Sequence, residues 1–123
     1  MSVTEIANGL VELCRQRKNM EAKDKYYSDD IVSVESGGPP GVPTEMKGIE
    51  AIRGKQKQFL ETREVHSQEI NGPYIGENKF AVEFKMDMTI KPTGQRVQID
   101  EVGLYTVEGD KIVHEHFFYK TGA

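Results

Sequence analysis

The stretch that decides the fold is residues 80–90, which read Phe80-Ala81-Val82-Glu83-Phe84-Lys85-Met86-Asp87-Met88-Thr89-Ile90. Apolar side chains at every second position share one face of a β-strand, and the charged ones share the other. From Val65 onward this period of two predicts four consecutive strands. The turn signals in this part of the chain are Asn71-Gly72-Pro73, Gly76-Glu77-Asn78, Pro92-Thr93-Gly94 and Glu108-Gly109-Asp110.

The chain before Val65 is mostly helical in its pattern. Ile6, Leu10 and Cys14 recur at helical spacing, and Ser2 with Glu5 forms a capping-box pattern, so the first helix begins near Val3. Asn19 is predicted to cap a second helix that ends at Ser28-Asp29-Asp30. The remaining predicted elements are a strand over residues 31–35, a Gly- and Pro-rich loop over residues 36–47 and a third helix from Ile49.

The composition bounds the class of protein. A length of 123 residues predicts a single domain over residues 1–123. The net charge of −4 and the absence of basic clusters exclude a nucleic-acid-binding surface. No apolar run approaches the roughly 20 residues of a membrane span, and the first residues lack a signal-peptide pattern, so we predict a cytoplasmic protein that does not bind membranes. Cys14, the one cysteine, is interpreted as a core residue.

Three further stretches resemble a known family. They are Tyr26-Tyr27-Ser28-Asp29-Asp30-Ile31-Val32, Lys47-Gly48-Ile49-Glu50-Ala51-Ile52-Arg53 and Gly109-Asp110-Lys111-Ile112-Val113. In this order, and with these element lengths, they resemble the SnoaL-like branch of the nuclear-transport-factor-two-like superfamily. The resemblance implies an α+β cone of the cystatin-like type. Three N-terminal helices pack in the concavity of a strongly bent, mostly antiparallel mixed sheet, with a ligand pocket inside and often a dimer contact outside.

The resemblance also suggests a catalytic base. In the ketosteroid-isomerase pattern a carboxylate base follows the Asp-Asp pair before the first strand, and Glu35 occupies that position. A carboxylate in an apolar cavity has its charged form penalised, which raises its pKa toward the working pH. The alternative interpretation is that Glu35, next to Ser36-Gly37-Gly38, is a solvated residue at the end of a strand.

Two other isomerase groups have no counterpart here. The resemblance aligns Val11 with the family's helix-one tyrosine and Gly103 with its strand carboxyl, so the usual steroid-isomerase mechanism is not expected. Counting by twos turns Glu101, Gly103 and Tyr105 inward, with Gly103 making room for its neighbours. The same counting on the last strand turns Val113, Glu115, Phe117 and Tyr119 inward and leaves Ile112, His114, His116 and Phe118 outward. Glu101 and Glu115 therefore become further candidate catalytic acids.

The predicted direction of the histidine side chains depends on the register of the last strand. A slip of one residue would turn His114 and His116 inward, and their spacing of two, with His66 from another strand, would then be a metal-ligand spacing. We predict no metal, since no further ligand pattern accompanies the pair. The outward apolar side chains Val102, Leu104, Ile112 and Phe118 predict a homodimer through the outer face of the sheet.

Two functions fit the predicted pocket equally well. Its ligand wall is expected to consist of Phe84, Met86, Tyr105, Phe117 and Tyr119. One function is a cofactor-independent isomerase or cyclase that uses a carboxylate base on a small apolar, carbonyl-containing molecule. The other is a non-catalytic binding protein or dimeric assembly module built on the same cone.

Overall fold

The computed structural model describes residues 1–38, 41 and 43–120. Within them the helices are α1 (Val3–Arg15), α2 (Asn19–Tyr26) and α3 (Ile49–Thr62). The strands are β1 (Tyr27–Val34), β2 (Glu45–Lys47), β3 (Arg63–Ile75), β4 (Lys79–Ile90), β5 (Gln95–Glu108) and β6 (Lys111–Phe118). They form one sheet in the order β2-β1-β6-β5-β4-β3, and every neighbouring pair except β1–β6 is antiparallel. The predicted α+β class with a mixed, mostly antiparallel sheet is confirmed.

Helix α1 forms as its sequence predicts. The Ser2 hydroxyl accepts from the Glu5 amide, and the Glu5 carboxylate accepts from the Ser2 amide, which completes the capping box. The helix buries its apolar stripe against the sheet, and Arg15 donates to the Ile70 carbonyl of β3 at 2.9 Å. Burial raises the pKa of the Cys14 thiol to about 11, as expected for a core cysteine. No helix in the described ranges is long and apolar enough to cross a membrane.

Strands β4 and β5 supply the inner wall of the fold. Their pairing is uninterrupted, with Phe80 opposite Tyr105, Val82 opposite Gly103 and Phe84 opposite Glu101. Phe80, Val82, Phe84 and Met88 are buried, and this confirms that the period of two at residues 80–90 marks a strand with one buried face. The inward positions of β5 are also those that counting by twos predicted, because the ladder between these strands contains no bulge.

The N-terminal boundaries differ from the prediction. Asn19 is the first residue of α2, and Lys18 at the cap makes no side-chain bond to the helix, so Asn19 is not a cap. Strand β1 begins at Tyr27, so Ser28-Asp29-Asp30 belongs to a strand instead of terminating a helix. The predicted 36–47 loop contains β2, which pairs with β1. Residues 39, 40 and 42 of the predicted loop lie outside the described residues.

Two β-bulges explain the other differences. Strand β3 continues through the predicted turn at Asn71-Gly72-Pro73, because an irregularity between Asn71 and Tyr74 absorbs these residues. A second register shift, at Thr106/Val107, pairs Val107 with Ile112. Ile112 is therefore completely buried, and its predicted outward position was wrong. The extra residue, Val113, is half-buried and has no partner in the register of β5 and β6.

Gly9 and Gly54 both lie inside helices and provide a matched test of packing. A Cβ atom at Gly9 would lie 1.8 Å from the hydroxyl and 2.6 Å from the Cζ of buried Tyr26, whereas nothing lies within 4 Å at Gly54. Overpacking should make Gly9→Ala less stable by about 1–3 kcal/mol. Gly54→Ala should gain about 0.5–1 kcal/mol from helix propensity. Urea unfolding measures both, and a stabilised Gly9→Ala would contradict this packing.

Candidate functional site

Glu115 of β6 is a completely buried carboxyl in the interior of the fold. The parallel pairing of β1 with β6 places Ser33 beside it, and the Ser33 hydroxyl donates to Glu115 Oε2 at 2.7 Å. The Tyr27 hydroxyl donates to Glu115 Oε1. Both carboxyl oxygens are therefore satisfied by β1, as a buried acid requires. Glu115 points inward, as predicted.

A lysine from α3 joins this buried acid to Glu35. Lys55 Nζ donates to Glu35 Oε1 at 2.7 Å and to Ser33 Oγ at 2.9 Å, and it lies 3.9 Å from Glu115 Oε2. The side chains of Lys55 and Glu35 are 24% and 22% exposed, so this pair lies between the buried floor and the solvent. Lys55 Nζ also lies 5.4 Å from the centre of the Phe117 ring.

Glu35 belongs to one polar cluster with Glu115, Ser33, Tyr27 and Lys55, and it is not a solvated strand end. Its Oε2 accepts from the Tyr119 hydroxyl at 3.0 Å, and the same hydroxyl lies 2.9 Å from the Gly37 carbonyl oxygen. Burial, reinforced by the nearby charge of Glu35, raises the pKa of Tyr119 to about 12. Glu35 is thus held by a lysine on one oxygen and a tyrosine on the other.

Glu101 differs from Glu35 and Glu115 in the surroundings of its carboxyl group. It lies half-buried on the inner face of β5, and within the described ranges its carboxyl makes no hydrogen bond or ion pair. Burial raises the pKa of Glu101 to about 7, and the charge of Glu35 adds to this effect while Lys55 opposes it. A carboxyl with a pKa of about 7 exchanges its proton near neutral pH.

A second lysine faces the same interior. Lys23 of α2 is half-buried and donates to the Gln56 side-chain oxygen of α3. Burial lowers the pKa of Lys23, although the charge of Glu115 acts in the opposite direction. Burial is the main cause, and the charge of Glu115 the second, of pKa values for Tyr27 and Tyr105 that lie well above the ordinary value. The cluster therefore combines three carboxyls, two amines and several un-ionised tyrosines.

The predicted ligand wall divides into a packed part and a half-open part. Phe84 and Tyr105 belong to the core, where Tyr105 stacks on Phe80 with ring centres 4.8 Å apart. Met86, Phe117 and Tyr119 are half-buried. We call these three residues, together with Glu101, the cone mouth. A Cβ atom at Gly103 would lie 2.9 Å from the Tyr105 ring, so this glycine does make room for the aromatic side chains.

Two open cavities have linings that largely differ from this wall. One, of about 360 Å³, lies between α2 and α3 beside Met20 and Leu60. The other, of about 590 Å³, lies on β3, β4 and β5, where most of its lining side chains face outward and only Met86 belongs to the predicted wall. Phe84 and Tyr105 therefore pack into the core, and the half-buried cone mouth is the part of the predicted wall left for a ligand.

The histidines lie apart from the acids. His114 and His116 are on the outer face of β6, with ring centres 6.3 Å apart, and His116 stacks on Phe118. His66 Nε2 is 2.7 Å from the Thr89 hydroxyl. In the part of the chain that the structure describes, no three His, Cys, Asp or Glu side chains come together as a metal site would require.

Sequence reasoning found the three acids but missed their partners. Lys55 lies three residues after buried Ile52 of α3, which places it on the inner side of the helix, and Ser33 lies two residues before Glu35 on β1. These spacings were available signals. They were overlooked because lysine and serine on amphipathic elements are usually solvated.

The comparisons with known proteins agree with this architecture. The sequence profile of the SnoaL-like domain matches residues 1–119, and the chain therefore belongs to the SnoaL-like domain family. A candidate SnoaL-like polyketide cyclase from Mesorhizobium loti is 44% identical, with a TM-score of 0.91 over 97% of this chain and 100% of its own. A comparison with curated proteins finds no match.

More distant structures share the fold alone. An NTF2-like protein from Burkholderia thailandensis is 16% identical, with a TM-score of 0.81 over 98% of this chain and 92% of its own. A hypothetical protein from Catenulispora acidiphila with a ketosteroid isomerase-like fold, solved with trimethylamine, is 19% identical. It has a TM-score of 0.72 over 96% of this chain and 87% of its own. The nuclear-transport-factor-two-like cone is thus the fold of this chain.

Proposed function

We propose that this SnoaL-like domain binds a small, mostly apolar carbonyl compound at the cone mouth and transfers a proton on it without a metal or organic cofactor. The observation that carries the proposal is Glu101, a half-buried carboxyl with no partner in the described residues and with its pKa raised to about 7. A general base works best when its pKa lies near the operating pH, because it is then both available and basic enough.

The other two acids have supporting roles in this proposal. Glu115 is occupied by Tyr27 and Ser33, and Glu35 by Lys55 and Tyr119. A carboxylate with both oxygens engaged is a weaker base than one whose lone pairs face a ligand. We therefore transfer the base role from Glu35, where the family resemblance suggested it, to Glu101. Lys55 contacts both Glu35 and Glu115 and belongs to the supporting group.

The non-catalytic alternative uses the same mouth without proton transfer. The packing of Phe84 and Tyr105 into the core favours it, because a rigid aromatic interior is consistent with simple retention of an apolar group. Hydrogen–deuterium exchange of small enolisable ketones in D2O separates the two functions. Exchange above the buffer rate, with shifted Met86 methyl resonances, supports catalysis. Shifted resonances without exchange support binding alone. The absence of both exchange and shifted resonances would contradict the proposal.

We also propose that the chain forms a homodimer through the outer face of β5 and β6. Val102 and Phe118 pair across these strands and are 36% and 45% exposed, and Leu104 lies opposite His116 beside them. These apolar side chains occupy one face of a sheet, where a partner would remove them from water. Buried Ile112 no longer belongs to this surface.

The dimer has a direct test. Phe118→Asp places a charge on the proposed contact and should shift the protein from dimer to monomer in sedimentation velocity at concentrations of tens of micromolar, on the order of a modest dimer affinity. Leu60→Asp, at an exposed leucine of α3, is the control and should leave the dimer intact. A wild-type monomer at these concentrations would refute the proposal.

A further inference from the structure

Lys55 occupies a position between three different elements of the site. Its ammonium carries three protons. It faces Ser33 Oγ of β1 at 2.9 Å, Glu35 Oε1 after β1 at 2.7 Å and Glu115 Oε2 of β6 at 3.9 Å. Two of its donors therefore make hydrogen bonds to Ser33 and Glu35, and Glu115 lies at ion-pair distance from the same ammonium.

The charges around Lys55 do not balance. The titratable groups that act on this interior are Glu35, Glu101, Glu115, Lys23, Lys55, Tyr27, Tyr105, Tyr119 and Cys14. The tyrosines and the cysteine are neutral at ordinary pH, which leaves three carboxyls and two amines. Lys55 contacts two of the carboxyls, and Glu101 is the third.

We propose that Lys55 is a positioning residue that assigns the exchangeable proton to Glu101 by holding the carboxyl groups of Glu35 and Glu115. The assignment rests on the proposed role of Glu101, and Lys55 acts through the acids without contacting the substrate. An ammonium within about 4 Å favours the charged form of a carboxyl.

The test is a carboxyl titration by NMR of protein with 13C-labelled glutamate, without any ligand. In Lys55→Met, the acids Glu35, Glu101 and Glu115 together should hold more protons at neutral pH, with their combined proton affinity raised at least about tenfold. Lys55→Arg retains the cation and should restore the wild-type titration. Lys57→Met is the matched control, because Lys57 is 78% exposed on the same helix and lies 4.0 Å from Glu61.

A second variant tests the same claim through an expected fall in proton affinity instead of a rise. Glu35→Gln removes a negative charge near Glu101 and takes a charged partner from Lys55, so the Glu101 midpoint should fall below about 7. This arm decides the matter if Lys55→Met does not fold. Unchanged carboxyl titrations in Lys55→Met, or an unchanged Glu101 midpoint in Glu35→Gln, would overturn the positioning role. Since no turnover is measured, a failed ketone-exchange assay would leave this result standing.

Discussion

Glu101→Gln should lower turnover on an enolisable ketone by about 100-fold or more, the usual contribution of a positioned general base. The amide keeps the shape of the side chain opposite Phe84 but cannot accept the proton. Ligand affinity should change little, so the loss should appear in kcat more than in KM. The wild-type kcat/KM should rise with pH and level off above about 7, because only deprotonated Glu101 is a base.

A matched control distinguishes this effect from a general change in charge. Glu108 lies at the exposed end of the same strand, and Glu108→Gln should retain wild-type turnover. Steady-state kinetics across pH 5 to 9, a range chosen to bracket a midpoint of about 7, measures both variants. Full activity in Glu101→Gln would show that Glu101 is not the general base, and Glu35 would again be the candidate. Loss of binding together with turnover would indicate a structural role.

Glu115→Ala should have the largest effect on stability, a loss of about 3–5 kcal/mol in the free energy of unfolding. The substitution removes the acceptor of the Tyr27 and Ser33 hydroxyls and leaves both donors buried. It also takes one acid from Lys55 and leaves a cavity in the floor of the cone. Glu115→Gln should lose less, because the amide oxygen still accepts one hydrogen bond.

The control for this prediction is Glu61→Ala. Glu61 is 63% exposed and pairs only weakly with Lys57, so its loss should change the free energy of unfolding by less than about 1 kcal/mol. Urea denaturation at constant pH gives both values. If Glu115→Ala and Glu61→Ala proved equally stable, Glu115 could not be the acceptor at the centre of the polar cluster.

Elements whose signal is local could be predicted from the sequence. The capping box of Ser2 and Glu5 starts α1, and the uninterrupted β4–β5 ladder keeps the inward positions two residues apart through Tyr105. Bulges are the main source of error. One extra residue in β6 buries Ile112, and an irregularity in β3 lets the strand continue past Asn71. A bulge leaves one residue unpaired, and counting by twos along one strand does not show where this happens.

The site could be predicted only in part, for a related reason. Inward acids on a strand can be read from alternation, and Glu101 and Glu115 were found this way. Which acid is available for chemistry depends on partners brought by other elements, chiefly Lys55 of α3 and Tyr27 of β1. These contacts span 20 and 88 residues of sequence, so a local spacing can place a side chain on an inward face but cannot show which acid it contacts.

The midpoint of the Glu101 carboxyl in the wild-type protein tests the central claim most directly. It can be followed by the 13C chemical shift of its side chain as the pH is raised, with Glu101→Gln to assign the resonance. Burial and the neighbouring charge of Glu35 predict a midpoint near 7. A midpoint near the ordinary value of about 4.3 would show that Glu101 is already ionised and solvated, and would contradict its role as the proton-transferring group.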